Sequence, residues 1–433
     1  MAKKEKALPV EVPEEEQPYA VPENWRWMYL LNGAAECMDG FRKPINATER
    51  ADRTGDIPYY GATGQVGWID DFLTDEQLVL LGEDGAPFLD VMKDKAYLIE
   101  GKAWVNNHAH ILRSYYGEVG NIYLMHYLNQ FNYTGYVNGT TRLKLTQASM
   151  MTMPVPIPPL PEQRRIVSRI ESLFAKLDEA KEKAQAVVDG FEDRKAAILH
   201  KAFTGALTEG WRKSNNASAW EMLTLNDIAD YKKGPFGSSI TKAMFVPKGP
   251  ETYKVYEQGN AIRKTLDYGH YYISKSKYNE LKGFAVLPGD ILISCAGTIG
   301  EVYRLPDVCE PGVINQALMR VRIHDNIIEK FFVYFFEGVV RDSAVDLANG
   351  TAIKNIPPFK VMKTMPINLP SLGEQHEIVR LLDALLSREQ QARDAAEQVL
   401  EQIDAMKKAV LARAFRGELG TNVPEERAME IGG

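Results

Sequence analysis

The chain holds 433 residues with a formal net charge of −7; 45% are hydrophobic and 25% charged. That length admits roughly two to four domains, and the composition excludes collagenous, low-complexity and disordered classes. Three scattered cysteines (Cys37, Cys295, Cys309) exclude a disulfide scaffold or zinc ribbon, and the most apolar run, Phe331–Val340, is shorter than the about 20 residues a bilayer span needs. The expected location is the cytoplasm. Acidity speaks against a nucleic-acid partner only on average, because electrostatic footprints are local.

Residues 1–20 are acidic and proline-containing, which predicts a poorly ordered tail. From 21 to 158, short β-type runs alternate with Gly, Pro, Asn and Asp; Leu78–Gly85 and Lys95–Arg113 have this character. Gly120–Phe131 reads as an amphipathic helix, and the proline cluster Pro154–Gln163 closes the domain and opens a helix. A long helix is expected over 159–210. Its apolar positions Ile166, Ile170, Leu173, Leu177, Ala180, Ala184, Val187, Phe191 and Ile198 step by four and three, interrupted only by Arg194. Gly190 lies inside it, costs about 1 kcal/mol relative to Ala and allows a kink. A polar connection, Trp211–Trp220, leads into a second mixed domain, giving a domain over 211–370. A second long helix is expected over 371–420, followed by a tail over 421–433.

The two halves are copies. "LPEQRRIV" from Leu160 recurs as "LGEQHEIV" from Leu372, and "KAFTGAL" from Lys201 recurs as "RAFRGEL" from Arg413, both 212 residues apart. A fixed period of this kind means one unit built twice. Within the domains, "VNNHAHILR" (Val105–Arg113) pairs with "VINQALMRV" (Val313–Val321), and "NGTTRLKL" (Asn138–Leu145) with "NGTAIKNI" (Asn349–Ile356). The second seam runs through Ile378, Leu382, Leu385, Ala392, Ala396, Val399, Ile403, Met406 and Val410, interrupted only by Glu389. A helix with one apolar stripe is not stable alone, so the two should pair, most simply about a two-fold axis and antiparallel. A register with Leu177 opposite Met406 sets Phe191 opposite Ala392 and Ala180 opposite Ile403. The seam-breaking charges Arg194 and Glu389 then face each other. The predicted class is α+β: two mixed domains, each followed by a long helix, with the helices packed as a pseudo-two-fold antiparallel coiled coil.

Searches for catalytic patterns return fragments. "NIPPF" (Asn355–Phe359) has an isoleucine inside an Asn-Pro-Pro-aromatic element, and no glycine-rich cofactor loop follows a strand. There is no GxxxxGK[ST] loop, and Pro306-Asp307 lacks a downstream Glu-x-Lys. His108 and His110 have no third metal ligand at useful spacing and read as satisfied histidines on a strand. No catalytic or metal residue is assigned. Recognition chemistry is better represented. Tyr231–Lys282 contains ten Lys/Arg against four Asp/Glu, with seven tyrosines; the matching stretch of the first half is not basic. Lys232, Lys233, Arg263, Lys264, Lys275 and Lys277 suit phosphates. Asn106, Asn107, Arg142, Gln258 and Asn260 suit base edges, and Tyr59, Tyr60, Tyr271 and Tyr272 suit a sugar-phosphate wall. Thr63, Lys144, Ser238 and Lys354 complete the candidate DNA-binding set.

The helical repeats "PIPPLPEQRRIV…KAAILHKAFTGALTEGWR" and "INLPSLGEQHEIV…KKAVLARAFRGELG" resemble the conserved spacers of type I restriction–modification specificity subunits. "IPYYGATGQVGWID" (Ile57–Asp70), "LLGEDGA", "WVNNHAHILR", "GPFGSS" (Gly234–Ser239), "VYEQGNAI" (Val255–Ile262) and "LPGDILIS" (Leu287–Ser294) resemble that family's recognition-domain elements. The resemblance covers nearly everything after residue 20. It implies two target-recognition domains reading a bipartite DNA site and paired helices that set the gap between half-sites. Two adenine-N6 methyltransferase subunits carrying S-adenosylmethionine are the implied partners, with motor-nuclease subunits using ATP and Mg. It implies no cofactor in this chain, and the partners would supply part of the basic DNA-facing surface. Three alternatives stay open: a recognition subunit of another phage-defence system, a coiled-coil protein-binding scaffold, and a single-chain enzyme with fused modification activity.

Overall fold

The computed structural model describes residues 10–296, 298–340 and 359–427. The chain divides into two compact units, Met1–Ala186 with Ala396–Gly433, and Val187–Ala395. Each unit therefore holds one mixed domain together with portions of both long helical segments. Among the described residues, no helix is long and apolar enough to cross a membrane.

In the first unit, β1 (Arg26–Tyr29) runs antiparallel to β12 (Pro154–Ile157), just before the first long helix, and β10 (Val137–Asn138) pairs with β11 (Lys144–Leu145). Residues 10–20, expected as tail, are tied to this pair: the Val12 amide donates to the Trp27 carbonyl and Tyr29 to Val10. Val12 is buried with Trp27 and Tyr29; one apolar residue with backbone partners is enough to order an otherwise acidic segment. The main sheet has the order β2 (Ala35–Cys37), β9 (Ala109–Ser114), β6 (Leu78–Gly82), β7 (Ala96–Ile99), antiparallel throughout. All five residues of β6, Leu-Val-Leu-Leu-Gly, are buried, as a continuous apolar run covered on both faces requires. A smaller sheet joins β3 (Ile57–Gly61), β4 (Gly64–Ile69), β5 (Thr74–Asp75) and β8 (Lys102–Val105), with β3 and β8 parallel.

The helix Gly117–Gln130 covers the main sheet. Its buried amides complete the backbone at the sheet's ends. Asn121 accepts from the Ser114 amide and donates to the Gln77 carbonyl, and Asn129 accepts from the Lys95 and Ala96 amides. Tyr123 and Tyr127 donate to the Pro156 and Pro154 carbonyls at 2.7 and 2.6 Å, and both rings meet Phe415 edge-on at 5.1 Å. The end of the second long helix is thereby sealed into the first domain's core. Gly417 closes that helix at φ +73°, and a Cβ there would meet Pro22 at 2.4 Å.

The second unit repeats this plan. Strands β13 (Glu221–Thr224) and β21 (Pro366–Leu369) pair as the entry ladder. The main sheet runs β14 (Ala229–Lys233), β20 (Leu318–Ile323), β17 (Ile291–Ser294), β18 (Val302–Arg304). A smaller sheet has β15 (Thr252–Tyr256) between β16 (Tyr272–Ser274) and a parallel β19 (Gly312–Ile314). The helix Glu329–Phe335 buries Phe331, Phe332 and Phe335 against this core.

The long helical segments carry the predicted seam. The first runs Leu160–Asp189, stops at Gly190 (φ −80°, ψ 1°) and resumes as Phe191–Phe203; the second is continuous, Leu372–Ala414. In the first unit, Asp178 pairs with Lys407 at 2.6 Å and Lys181 with Asp404 at 3.6 Å, so residue numbers fall on one helix as they rise on the other. In the second unit, Arg194 Nε donates to Glu389 at 2.6 Å, the contact that the register brings opposite. Both sets of pairs make the helices antiparallel. The expected seam is corrected at three positions: Met406 and Val399 are 47% and 41% exposed, and Ala392 is exposed too, with Arg393 rather than Ala392 lying over Phe191. The inward row is instead Ala396, Ile403, Lys407 and Leu411, with the Lys407 ammonium 5.1 Å from the Phe174 ring centre. A long aliphatic stem covers the ring while its charge reaches Asp178, a solution that a count of apolar letters misses. The connection expected to be a polar linker also differs, since Glu209–Ser214 is helical.

The duplicated Glu-Gln of each long helix is fully buried. Glu374 accepts from Thr208 Oγ1 (2.6 Å), Arg212 Nε (3.0 Å) and Trp220 Nε1 (2.9 Å). Glu162 accepts from Thr421 Oγ1 at 2.5 Å and Arg165 Nε at 2.9 Å. Gln163 and Gln375 donate to the Pro158 and Pro370 carbonyls. These contacts fix the helix start against the end of the opposite spacer, because a buried carboxylate is tolerated only when its partners are in place.

Two predictions follow from this packing. Glu374→Ala, which strands Arg212 and Trp220, should destabilise the second unit by about 3 kcal/mol in chemical denaturation, and Glu374→Gln by less. His126 lies among Met92, Asp94, Phe174, Asp404 and Lys407, and burial lowers its pKa to about 4. The unfolded chain takes up that proton near the ordinary pKa of about 6.5 and the folded chain does not. Stability of the first unit should therefore drop as pH falls from about 6.5 to 4, by roughly 3 kcal/mol from this residue. His126→Gln should flatten that slope in pH-dependent melting.

Candidate nucleic-acid interface

In both units the chain leaves the parallel strand of the smaller sheet through an asparagine-capped turn. Asn106 donates its amide to the Tyr60 carbonyl at 3.1 Å and accepts from the His108 amide at 2.8 Å. Asn315 does the same with Tyr256 at 2.9 Å and Ala317 at 3.0 Å. These turns superpose Asn106 on Asn315, one residue away from the letter match of Val105 with Val313. The residue that follows is an exposed amide in each copy, Asn107 and Gln316. Side-chain amides with both donor and acceptor suit a base edge. Gln316 was missed because the letter match set Asn107 against Asn315.

A second pair of loops leaves the edge strands β2 and β14. After β2, Asp39–Phe41 makes one tight turn, and Phe41 is 51% exposed. After β14, the chain passes Gly234, where a Cβ would sit 1.8 Å from the Asn315 carbonyl oxygen. It then reaches Phe236, which is 88% exposed. Lys232, Lys233, Phe236, Phe284 and Gln316 line one cleft, with the Lys232 ammonium 4.9 Å from the Phe284 ring centre. Among the described residues, neither lysine forms an ion pair. Phe41 and Phe284 carried no signal in the sequence, and Phe236 entered only as a letter of GPFGSS, because exposure of one phenylalanine is decided by the loop around it.

The first unit handles charge differently at the matching place. Asp39 pairs with Arg42 at 2.9 Å and His110 at 2.7 Å; Glu83 pairs with Arg42 and, at 2.8 Å, with Lys144. Asp84 holds His108 at 2.6 Å and Arg142 at 2.9 Å. Burial opposes charge on Asp39 and Glu83, but hydrogen bonds from His110 to the former, and from Lys144 and Arg42 to the latter, outweigh it. Both carboxyls stay below their ordinary range. Asp39, Glu83 and His110 place metal-competent atoms within 4.8 Å of one another, a grouping that sequence spacing did not show. Arg42 and Lys144 already neutralise the two carboxylates, and His110 Nε2 is engaged by the Leu145 carbonyl at 3.0 Å. The second unit has Cys295 and Ala296 where the first has Glu83 and Asp84: the Glu83 amide donates to His108, and Cys295 to its counterpart Ala317.

Several candidates from the sequence belong to the scaffold. Tyr59 is 2% exposed beneath Arg50, because its side of β3 faces the small core. Asn106 is the turn cap just described. Asn260 is fully buried and bonds the backbone of Glu257, Thr265 and Tyr268. Tyr272 is buried on Glu310, and Tyr60 is half-buried against Tyr97 at 5.9 Å. Gln258 is half-buried, with an enclosed side-chain oxygen that has no partner among the described residues. Lys264, Lys275 and Lys277 pair with Glu337, Glu251 and Glu280; Arg263 lies over Tyr268, and Tyr271 stacks on Phe245 at 4.2 Å. Thr63, Asn107, Arg142, Lys144, Lys232, Lys233 and Ser238 are exposed, and so are Arg263, Lys264, Tyr271 and Lys275 despite their surface partners. Lys354 lies outside the described residues, as does the whole of the NGTAIKNI match.

Residues 24–188 and 217–401 match the family model for the type I restriction modification DNA specificity domain. A protein of Haemophilus influenzae named as a type I restriction enzyme specificity subunit is 27% identical over 82% of this chain and 86% of its own length. The Escherichia coli EcoBI specificity subunit is 24% identical over 64% of this chain and 60% of its own length. The HsdS subunit of Thermoanaerobacter tengcongensis has the same fold, with a TM-score of 0.62 at 18% identity over 93% of this chain and 99% of that one. With two family domains, each joined to a spacer helix, the chain belongs to the type I restriction–modification specificity-subunit family and carries two target-recognition domains.

Proposed function

We propose that the chain reads a bipartite double-stranded DNA site, one half-site per unit, and carries no reaction of its own. The observation that supports this most is a contrast between like units. The scaffold residues recur, as Asn106/Asn315 and Glu162/Glu374, while the side chains around the same turns differ: exposed Asn107 against Gln316, and a balanced charge cluster against Lys232 and Lys233, which form no ion pair among the described residues. Two readers of different half-sites need the same frame and different tips. Lysines position the backbone, and amides discriminate bases.

The spacer helices act as the ruler between half-sites and dock two methyltransferase subunits. Those subunits carry S-adenosylmethionine and methylate adenine N6. Motor-nuclease subunits, using ATP and Mg, add cleavage, and the complex works in the cytoplasm. The repeated plan of the units supports two equivalent docking sites.

The assembled methyltransferase complex provides the test. Gln316→Ala should relax specificity at a base of one half-site by about 1–3 kcal/mol and leave the other half intact; Asn107→Ala should do the converse. Replacing Lys232 and Lys233 with Ala should weaken binding across sequences and lower the salt slope by about 2. DNA affinity unchanged in all three variants would favour the protein-binding scaffold.

A further inference from the structure

We infer that Phe236, and Phe41 in the corresponding loop of the first unit one position earlier, are aromatic wedges that enter the DNA stack at one step of each half-site. This rests on the DNA-reading function proposed above and adds the mode of contact. Three observations carry it. Both phenylalanines leave the edge strand of the main sheet directly after a glycine-containing turn, Phe41 after Gly40 and Phe236 two residues after Gly234. They are 51% and 88% exposed, whereas Phe88, Phe331, Phe332, Phe335 and Phe415 are buried and Phe72, at 39%, lies beneath the Lys102 ammonium. Leaving a whole ring in water costs the burial that would otherwise stabilise the fold, so its recurrence at equivalent loops calls for an occupant.

The surroundings choose that occupant. Phe236 shares its cleft with Lys232, Lys233 and Gln316. Lysine is depleted from the cores of protein–protein contacts, whereas an apolar ring between phosphate-binding lysines and a base-reading amide is the arrangement of a side chain that unstacks a step. Pro235 is buried and Ser239 donates its amide to the Phe236 carbonyl, which holds the loop in shape. A preformed wedge loses little entropy on insertion. In the first unit, Arg42 and Lys43 follow Phe41. The Lys43 amide is bonded to the Val105 carbonyl, two residues before Asn107, which brings wedge loop and amide turn together.

The test uses the full chain in its methyltransferase complex and duplexes of the motif the complex methylates. 2-Aminopurine replaces single adenines other than the methylated ones. The wild type should raise fluorescence several-fold at one position in each half-site. Phe236→Ala should abolish the rise in one half-site only and weaken binding roughly 5- to 100-fold; Phe236→Trp should retain both, and Phe41→Ala should act on the other half-site. Exposure of Phe236 means that melting should be unchanged. No rise in the wild type at any position, or an unchanged rise and affinity in Phe236→Ala, would overturn the wedge. So would loss of methyltransferase assembly in Phe236→Ala, which would assign the ring to a protein partner. Failure of the wild-type complex to prefer its motif over a scrambled duplex would sink the DNA-reading function itself, a result that no phenylalanine variant can mimic.

Discussion

A helix with a single apolar stripe must find a partner, and this constraint organises both units. Neither spacer carries enough apolar surface to stand in water alone. Within each unit an ascending helix therefore lies against a descending one, and the contact is oriented by charge: Asp178 with Lys407 in one unit, Arg194 with Glu389 in the other. Exposed pairs of this kind contribute little stability. Their role is register, because a slipped pairing would set Arg194 or Glu389 against apolar neighbours. Stability comes from the ends, where Phe415 fills the space between Tyr123 and Tyr127 and where Glu162 and Glu374 are enclosed by donors.

The same end contacts connect spacer to reader. Tyr123 and Tyr127 bond the entry strand Pro154–Ile157, which leads directly into the first long helix. Trp220 and Arg212, which precede the second domain, bond Glu374 at the start of the second long helix. Within each unit the mixed domain is thus joined to the helix leaving it. Under the proposed function such coupling is what a spacing device needs, since a flexible joint would let half-site separation vary.

The sequence disclosed what depends on local order. Steps of four and three follow from the helix itself, and the 212-residue repeat needs only comparison of letters. Facts that depend on distant partners stayed hidden. Lys407 is inward because Phe174 and Asp178 await it, and nothing in the second helix announces them. The repeat marks Glu162 and Glu374 only as duplicated letters, and nothing beside them announces Thr421, Thr208 and Arg212, which enclose them. Gln316 was displaced by a one-residue offset, since letters aligned the valines while geometry aligned the turn-capping asparagines. Tyr59 and Asn260 look like recognition residues by type, but one fills a core and the other caps a turn.

The central claim is that two unlike readers on one frame recognise two separated half-sites. Methylome sequencing of a host carrying the intact system tests it most directly. The account predicts a split motif, with an unspecified gap and methylated adenine in each half on opposite strands. A continuous, undivided motif would contradict it.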